Sequence, residues 1–264
     1  VSSSTYRGEK IQLINFIGPV YFIERKTVYA DTKVTELEHT SRWITGREYD
    51  CAIFVDRLDT LKMIYDPTNP YVERMREAAA RAMDKIIMDS VYAVAKAGKD
   101  GTTNVSFPAG NIVVHGGTGL TVAKLRSLRK MMKKRHVNLR GMKPVIAVTA
   151  EEIDDLLAET SVNSFDYNAV KPLVDGEVSG FMGFNFLPYE DAGDDKIYTF
   201  DDTGTVRRCP VWTPDGMHMG VWDALQIIIS NRADKNNIKQ IHGTFTCGAT
   251  RTDEDRVFAV EAKE

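Results

Sequence analysis

Residues Pro70 to Ala97 are the longest stretch that reads as one uninterrupted helix, and they follow a long, polar, strand-rich segment. Asn69 is placed to cap that helix, Pro70 suits its first position, and Gly98 follows the last turn with Lys96 just inside it. Val72, Met75, Ala79, Met83, Ile86, Val91 and Val94 recur at the spacing of one helical face. At about 1.5 Å per residue such a rod spans about 40 Å, whereas the mean globular helix has about 11–12 residues. An enzyme core seldom needs a rod of that length behind an extended arm. A subunit that must bridge its neighbours does.

The surrounding sequence supplies the arm. Residues 1–20 are polar, then apolar over Ile11–Ile17, and stop at Gly18-Pro19. Residues 21–66 alternate as strands do: Tyr49, Cys51, Ile53 and Val55 point one way, and Asp50, Ala52, Phe54 and Asp56 the other. Thr45, Gly46 and Arg47 suit the tip of a hairpin. A projecting two-stranded loop of this polarity is marginal alone in water, so it needs a partner, most simply another chain.

With 264 residues the chain can form one large domain or two small ones around a sizeable core. Its 43% hydrophobic and 27% charged residues are ordinary for a globular protein, and a net charge of −3 argues against polyanion binding by the molecule as a whole. Cys51, Cys209 and Cys247 are scattered, with no CxxC pair, so neither a zinc knuckle nor a disulfide framework is indicated and a reducing compartment is the simplest expectation. No run of 18 apolar residues suggests a membrane span.

After the long helix, a turn-rich break at residues 99–104 leads to a short strand, Asn111–Val114, and the glycine-rich turn His115–Gly119. A second helix is expected from about Thr121 to His136, and a buried strand over 143–149. A capping box of Thr149 and Glu152 opens a helix through Leu157. A short helix near Tyr167–Val174, a strand over Phe181–Leu187 and an acidic loop, Asp191–Asp195, come next. Strands are then expected at Val206–Trp212, Met217–Trp222, Ala224–Ile229, Gln240–Cys247 and Arg256–Ala262.

The turn at 115–121 is the most tempting chemical site, because glycine-rich turns at helix N-termini can cradle phosphate. Its detail does not fit. No lysine follows Gly119 as a P-loop requires, and the GxGxxG dinucleotide fingerprint is not met. No GxSxG elbow accompanies the HGG segment either. A structural turn whose glycines adopt positive φ is the simpler reading. The five histidines show no HxH or HExxH spacing, and His218 fits a satisfied or surface residue better than a metal ligand.

The basic run carries more. Lys124, Arg126, Arg129, Lys130, Lys133, Lys134 and Arg135, followed by Arg140 and Lys143, occupy 20 residues with no acid among them. Leu125, Leu128 and Met132 take the inner face of the expected helix and the cations spread over the rest. Such a surface attracts a polyanion, yet it has no aromatic residue for base stacking. Two partners fit it: acidic protein loops such as Asp191–Asp195 and Asp201–Asp202, or a nucleic-acid backbone.

The chain resembles a tailed-bacteriophage major capsid protein of the HK97-like fold. The resemblance rests on the order arm, extended loop, long helix, α/β unit and closing strands, and on three passages. These are Val145–Thr149 running into a short acidic helix, Phe181–Pro188, and Ser230–Asn237 with Gln240–Arg251 and Thr252–Asp255. It implies an α+β fold with an N-terminal arm (1–20), an extended β-hairpin loop (21–66), and a peripheral domain (67–140 and 231–264) carrying a spine helix at 69–97. An axial domain (141–230) completes it. It further implies self-assembly into hexamers and pentamers of an icosahedral shell around packaged double-stranded DNA, a place in the virion after synthesis in the host bacterial cytoplasm, and no enzymatic activity or cofactor. Scaffolding and portal proteins, a decoration protein, and DNA held by non-specific contact are the implied partners, with no membrane. Thr45, Gly46 and Arg47 would then be a subunit-interface tip. An encapsulin-like nanocompartment shell shares the fold, and a nucleotide-binding enzyme built on the 115–121 turn is a third reading.

Overall fold

The computed structural model describes residues 1–17, 39–55, 68–135, 141–159, 180–189 and 205–263, with a few isolated positions between them. In chain order, β1 (Ser2–Thr5) and β2 (Lys10–Ile17) precede β3 (His39–Thr45) and β4 (Arg47–Val55). The long helix α1 (Thr68–Tyr92) is followed by β5 (Ala95–Ala97), β6 (Thr103–Val105) and β7 (Ile112–Val113). Then come α2 (Val122–Lys134), β8 (Val145–Val148), α3 (Ala150–Ala158), β9 (Gly180–Phe181) and β10 (Phe184–Pro188). The chain closes with β11 (Val206–Trp212), β12 (Met217–Arg232), β13 (Ile238–Arg251) and β14 (Val257–Lys263).

Three sheets result. One has the order β1-β12-β13-β4, one β7-β14-β11-β8-β10-β9, and one β2-β3-β5-β6. Helix α1 packs on the first of these. Met75 and Ala79 are buried on it, and the core they join includes Ile241, Phe245 and Cys247 of β13. The predicted alternation in β4 holds at Val55, which is buried, and at Tyr49, which stacks on Phe245 with ring centroids 5.2 Å apart. Helices α2 and α3 bury Leu125, Leu128, Met132 and Leu156 together with Ile146, Phe184, Val211 and Phe258 of the six-stranded sheet. The last turns of α1, through Met88 and Val91, pack with Trp212, Met217 and Val257, so one helix contributes to the cores of both larger sheets.

Four sequence-based expectations change. First, the long helix does not reach Ala97. It ends at Tyr92 after 25 residues, about 37 Å at 1.5 Å per residue, and Ala95–Ala97 is a strand. The cause is 160 residues away in sequence. Arg251 is fully buried and donates from Nη1 to the carbonyls of Val91 and Ala93, both at 2.6 Å, and from Nη2 to Val105 at 2.9 Å. It thereby holds the carbonyls at the helix end, which must otherwise find other donors. Strand β5 is meanwhile drawn to β3, where Ser41 Oγ and Trp43 Nε1 both donate to the Gly98 carbonyl, at 3.0 and 2.7 Å. Gly98 does take a positive φ of 87°, but at the strand turn.

Second, Thr45, Gly46 and Arg47 are not a hairpin tip. Strands β3 and β4 belong to different sheets, and the chain crosses between them at Gly46, beside the Trp222 ring. The crossing is so close that a Cβ added to Gly248 would lie 2.4 Å from the Thr45 carbonyl oxygen. Third, Phe181–Leu187 is a hairpin, β9–β10, turned at Met182 and Gly183, both with positive φ. Fourth, Met217–Trp222 and Ala224–Ile229 are one 16-residue strand, β12, interrupted only by irregular register near Asp223. The sheets draw on segments from across the chain. The six-stranded sheet draws on 112–113, 145–148, 180–188, 206–212 and 257–263, whereas 217–232 lies in the sheet that carries α1. The expected helix near 167–174, the acidic loop 191–195, Asp201–Asp202 and most of the loop 21–66 lie outside the described residues.

Strand β1 joins the first sheet in parallel with β12, with Ser2 opposite His218 and Thr5 opposite Val221. His218 is a satisfied histidine. Its Nδ1 lies 2.7 Å from Ser2 Oγ and its Nε2 3.0 Å from Tyr6 Oη. Burial pushes its pKa below the ordinary value of 6.5.

Two outcomes follow from these contacts. Arg251→Met, which leaves three inward carbonyls without their donor, should lower stability by about 3–5 kcal/mol in chemical denaturation. Arg251→Lys should lose less, since an ammonium replaces part of the donor set. For β1, a detached His218 takes up a proton at a higher pH than the covered one. The attachment is therefore strongest above about pH 6.5 and weakens as pH falls below it, until covered His218 itself protonates. Amide exchange at residues 3–6, corrected for intrinsic rates, should speed up from about pH 7 to about pH 5 in the native protein but not in His218→Gln.

Candidate functional site

Helix α2 begins where the glycine-rich turn ends. Gly116 and Gly117 take φ of 58° and 79°, as a structural turn requires. His115 Nδ1 accepts from the Gly117 N–H at 3.0 Å, and the Thr118 N–H donates back to the His115 carbonyl at 3.1 Å. Thr121 caps the helix by accepting from the Lys124 N–H.

Two of the N–H donors at this helix start are already used by the chain's own acids. The Leu120 N–H donates to Asp155 Oδ2 at 3.1 Å and the Val122 N–H to Glu159 Oε2 at 2.6 Å. A side chain at Gly119 would collide with the Asp155 carboxylate, so the glycine is there to admit that carboxylate. Two acids in this position repel a phosphate. The geometry therefore withdraws the nucleotide reading of 115–121. Asp155 lies within α3 and Glu159 caps its C-terminal end. Their contact with another helix is set by packing, and no sequence signal marks it.

The basic run separates into three fates. Lys124 is buried, and its Nζ donates to the carbonyls of Thr118 and Gly119, both at 2.6 Å, and of Glu261 at 3.0 Å. Burial pulls its pKa down, opposed by Asp155, Cys209 and Glu261. It is a structural ammonium that ties the turn to β14, and it is withdrawn from the polyanion set. Arg135 pairs with Asp255. The other five remain together. Arg126, Arg129, Lys130, Lys133 and Lys134, with Met182 from the β9–β10 turn, line a cavity of about 480 Å³. Arg129 is half-buried and donates from Nη1 to the Met182 carbonyl at 3.0 Å, which fixes the hairpin against the helix. The other four are exposed. The inner face is the expected one, since Leu125, Leu128 and Met132 are fully buried. Arg140 lies outside the described residues, and Lys143 is exposed just before β8.

Elsewhere the buried polar groups serve the fold. Glu152 closes the capping box by accepting from the Thr149 N–H at 2.7 Å, and it faces buried Arg207 at 3.5 Å. Cys51, Cys209 and Cys247 form no disulfide, and burial pushes the Cys247 thiol up to about 11. Among the described residues no group of three His, Cys, Asp or Glu is placed to hold a metal ion, and no helix is long and apolar enough to cross a membrane.

The comparisons with known proteins agree in kind. A family model described as "Phage capsid protein" matches residues 1–264. No curated protein matches the sequence. Among solved structures, the capsid of the cyanophage P-SCSP1u superposes with a TM-score of 0.72 at 14% identity, covering 98% of this chain and 85% of that one. A Mycobacterium phage Che8 structure gives 0.68 at 15% identity, covering 96% and 85%. The capsid of Ralstonia phage GP4 gives 0.68 at 10% identity, covering 98% and 84%. At these identities the likeness is one of fold: the mixed α+β, HK97-like arrangement.

Replacing Lys124 by Met should lower stability by about 1–3 kcal/mol in urea denaturation, because buried carbonyls lose a charged donor. Lys133→Met, on the exposed face of the same helix, should stay within about 0.5 kcal/mol of the native protein.

Proposed function

The chain belongs to the phage capsid protein family, and on that premise we propose that it is a major capsid protein whose copies form the hexamers and pentamers of an icosahedral shell around packaged double-stranded DNA. The observation that carries this reading is the family match over the whole chain, on a fold shared with phage capsids. A capsid protein works by repeated contact and not by chemistry. Its role is structural, it associates with itself, and it is a component of the virion.

Particular features suit assembly. The sheet that carries α1 exposes Phe54, Ile228 and Ile229, apolar side chains of the kind neighbouring subunits bury. In this reading α1 with the β1-β12-β13-β4 sheet is the peripheral part, and the six-stranded sheet with α2 and α3 is the axial part. Weak contacts of each subunit with several neighbours sum to a stable shell, because a subunit held at one edge meets the next at high effective concentration. Portal, scaffolding and decoration proteins are the expected further partners, and synthesis in the bacterial cytoplasm the expected origin.

Negative-stain electron microscopy of the purified protein, alone and co-expressed with products of adjacent genes, tests the proposal. Closed icosahedral particles or hexamer sheets are expected, with DNA in particles that have been filled. A uniform monomer under every condition would overturn it, and closed shells that carry an enzyme instead of a genome would replace it with an encapsulin-like compartment.

A further inference from the structure

We infer that the exposed face of α2 is a docking surface for the phosphate backbone of double-stranded DNA. Arg126, Arg129, Lys130, Lys133 and Lys134 stand at positions i, i+3, i+4, i+7 and i+8, which puts all five along one side of the helix. The stripe is about 12 Å long at 1.5 Å per residue. They border one cavity of about 480 Å³ that, among the described residues, is otherwise lined by Met182. Among the described residues no carboxylate pairs with Arg126, Lys130, Lys133 or Lys134, although Arg135, one residue further on, is paired with Asp255. Five clustered cations in a chain of net charge −3 repel one another, and a polyanion relieves that repulsion.

The chemistry of the face selects the polyanion. A protein partner is disfavoured because the cores of protein interfaces are depleted in lysine and enriched in aromatic side chains. Here three of the five cations are lysines, and among the described residues Met182 is the one apolar group. A single-stranded nucleic acid would call for aromatic stacking platforms, and among the described residues none lines the cavity. A nucleotide would use the helix N-terminus, where Asp155 and Glu159 accept from the Leu120 and Val122 N–H groups and would repel its phosphates. A duplex fits. It carries about one charge per 1.7 Å of axis, so a 12 Å stripe faces about seven phosphates. Such contacts position a duplex without reading its sequence. The inference rests on the shell reading above, in which DNA is the enclosed cargo.

The test measures binding of the full-length chain to two 20-base-pair duplexes of unrelated sequence, and to polyglutamate as the acidic-peptide probe. Salt is varied from 50 to 200 mM. With all five cations engaged, affinity for either duplex should fall by about 500-fold over that range. In the triple variant Lys130→Gln, Lys133→Gln, Lys134→Gln, two contacts remain and the fall should shrink to about 12-fold. A second triple variant, Arg76→Gln, Arg81→Gln, Lys239→Gln, removes the same charge from exposed positions elsewhere and should keep the full salt dependence. If the first variant does not fold, Lys133→Gln alone should lower the slope of log affinity against log salt by about 0.9. An unchanged slope in the α2 variants, an equal loss in the control, preference for one duplex sequence, or tighter binding of polyglutamate than of DNA would each overturn the inference. Electron microscopy separates this from the shell reading: native protein that closes into shells but binds duplexes without salt dependence removes the DNA face and leaves the capsid standing.

Discussion

The Arg251 guanidinium decides how the long helix meets the rest of the chain. It comes from the end of β13, takes two carbonyls at the end of α1 and one from β6, and lies 5.7 Å from the Phe107 ring. Glu254 lies between it and Arg42 of β3, itself a buried arginine. Strands from two sheets, the long helix and the loop that follows β13 therefore meet at one ionic knot. Burying such a group is expensive, and a buried ion pair is weak evidence of net stability. Its effect is on specificity: the planar fork donates only to carbonyls in the right places, so α1 can end at one residue and in one direction.

From that knot the two larger cores become continuous. Helix α1 lies along the β1-β12-β13-β4 sheet for most of its length, then buries Met88 and Val91 with side chains of the six-stranded sheet. A subunit built this way can transmit a load across its length, since close-packed interiors are stiff. The same economy governs α2, where one lysine is an internal brace and the next turns of the helix present cations outward. Identical residue types take opposite roles according to whether carbonyls or solvent surround them.

Much of this was legible from pattern. The inner face of α2 at Leu125, Leu128 and Met132, the capping box of Thr149 and Glu152, and the positive φ of Gly116 and Gly117 all follow from local rules, and the structure has them. The errors fall where local signals compete with distant partners. Val94 continues the helical face in sequence, yet it is half exposed at 51% because Arg251 ends the helix before it. Thr45-Gly46-Arg47 has turn chemistry, but the glycine serves a close passage between sheets beside Trp222. Seven cations read alike as a run, and only packing told Lys124 and Arg135 from the other five.

By itself the sequence determined the class of the molecule and the order of its parts. Hydrophobic periodicity, caps and glycine turns are properties of a few consecutive residues, and they set a long helix between an extended arm and an α/β unit. Tertiary structure alone decided where the helix stops, which sheet each strand joins, and which charges face outward. Those outcomes depend on groups far apart in sequence, such as Arg251 with Val91 or Asp155 with Leu120. A buried donor or acceptor must find its partner wherever the fold brings one.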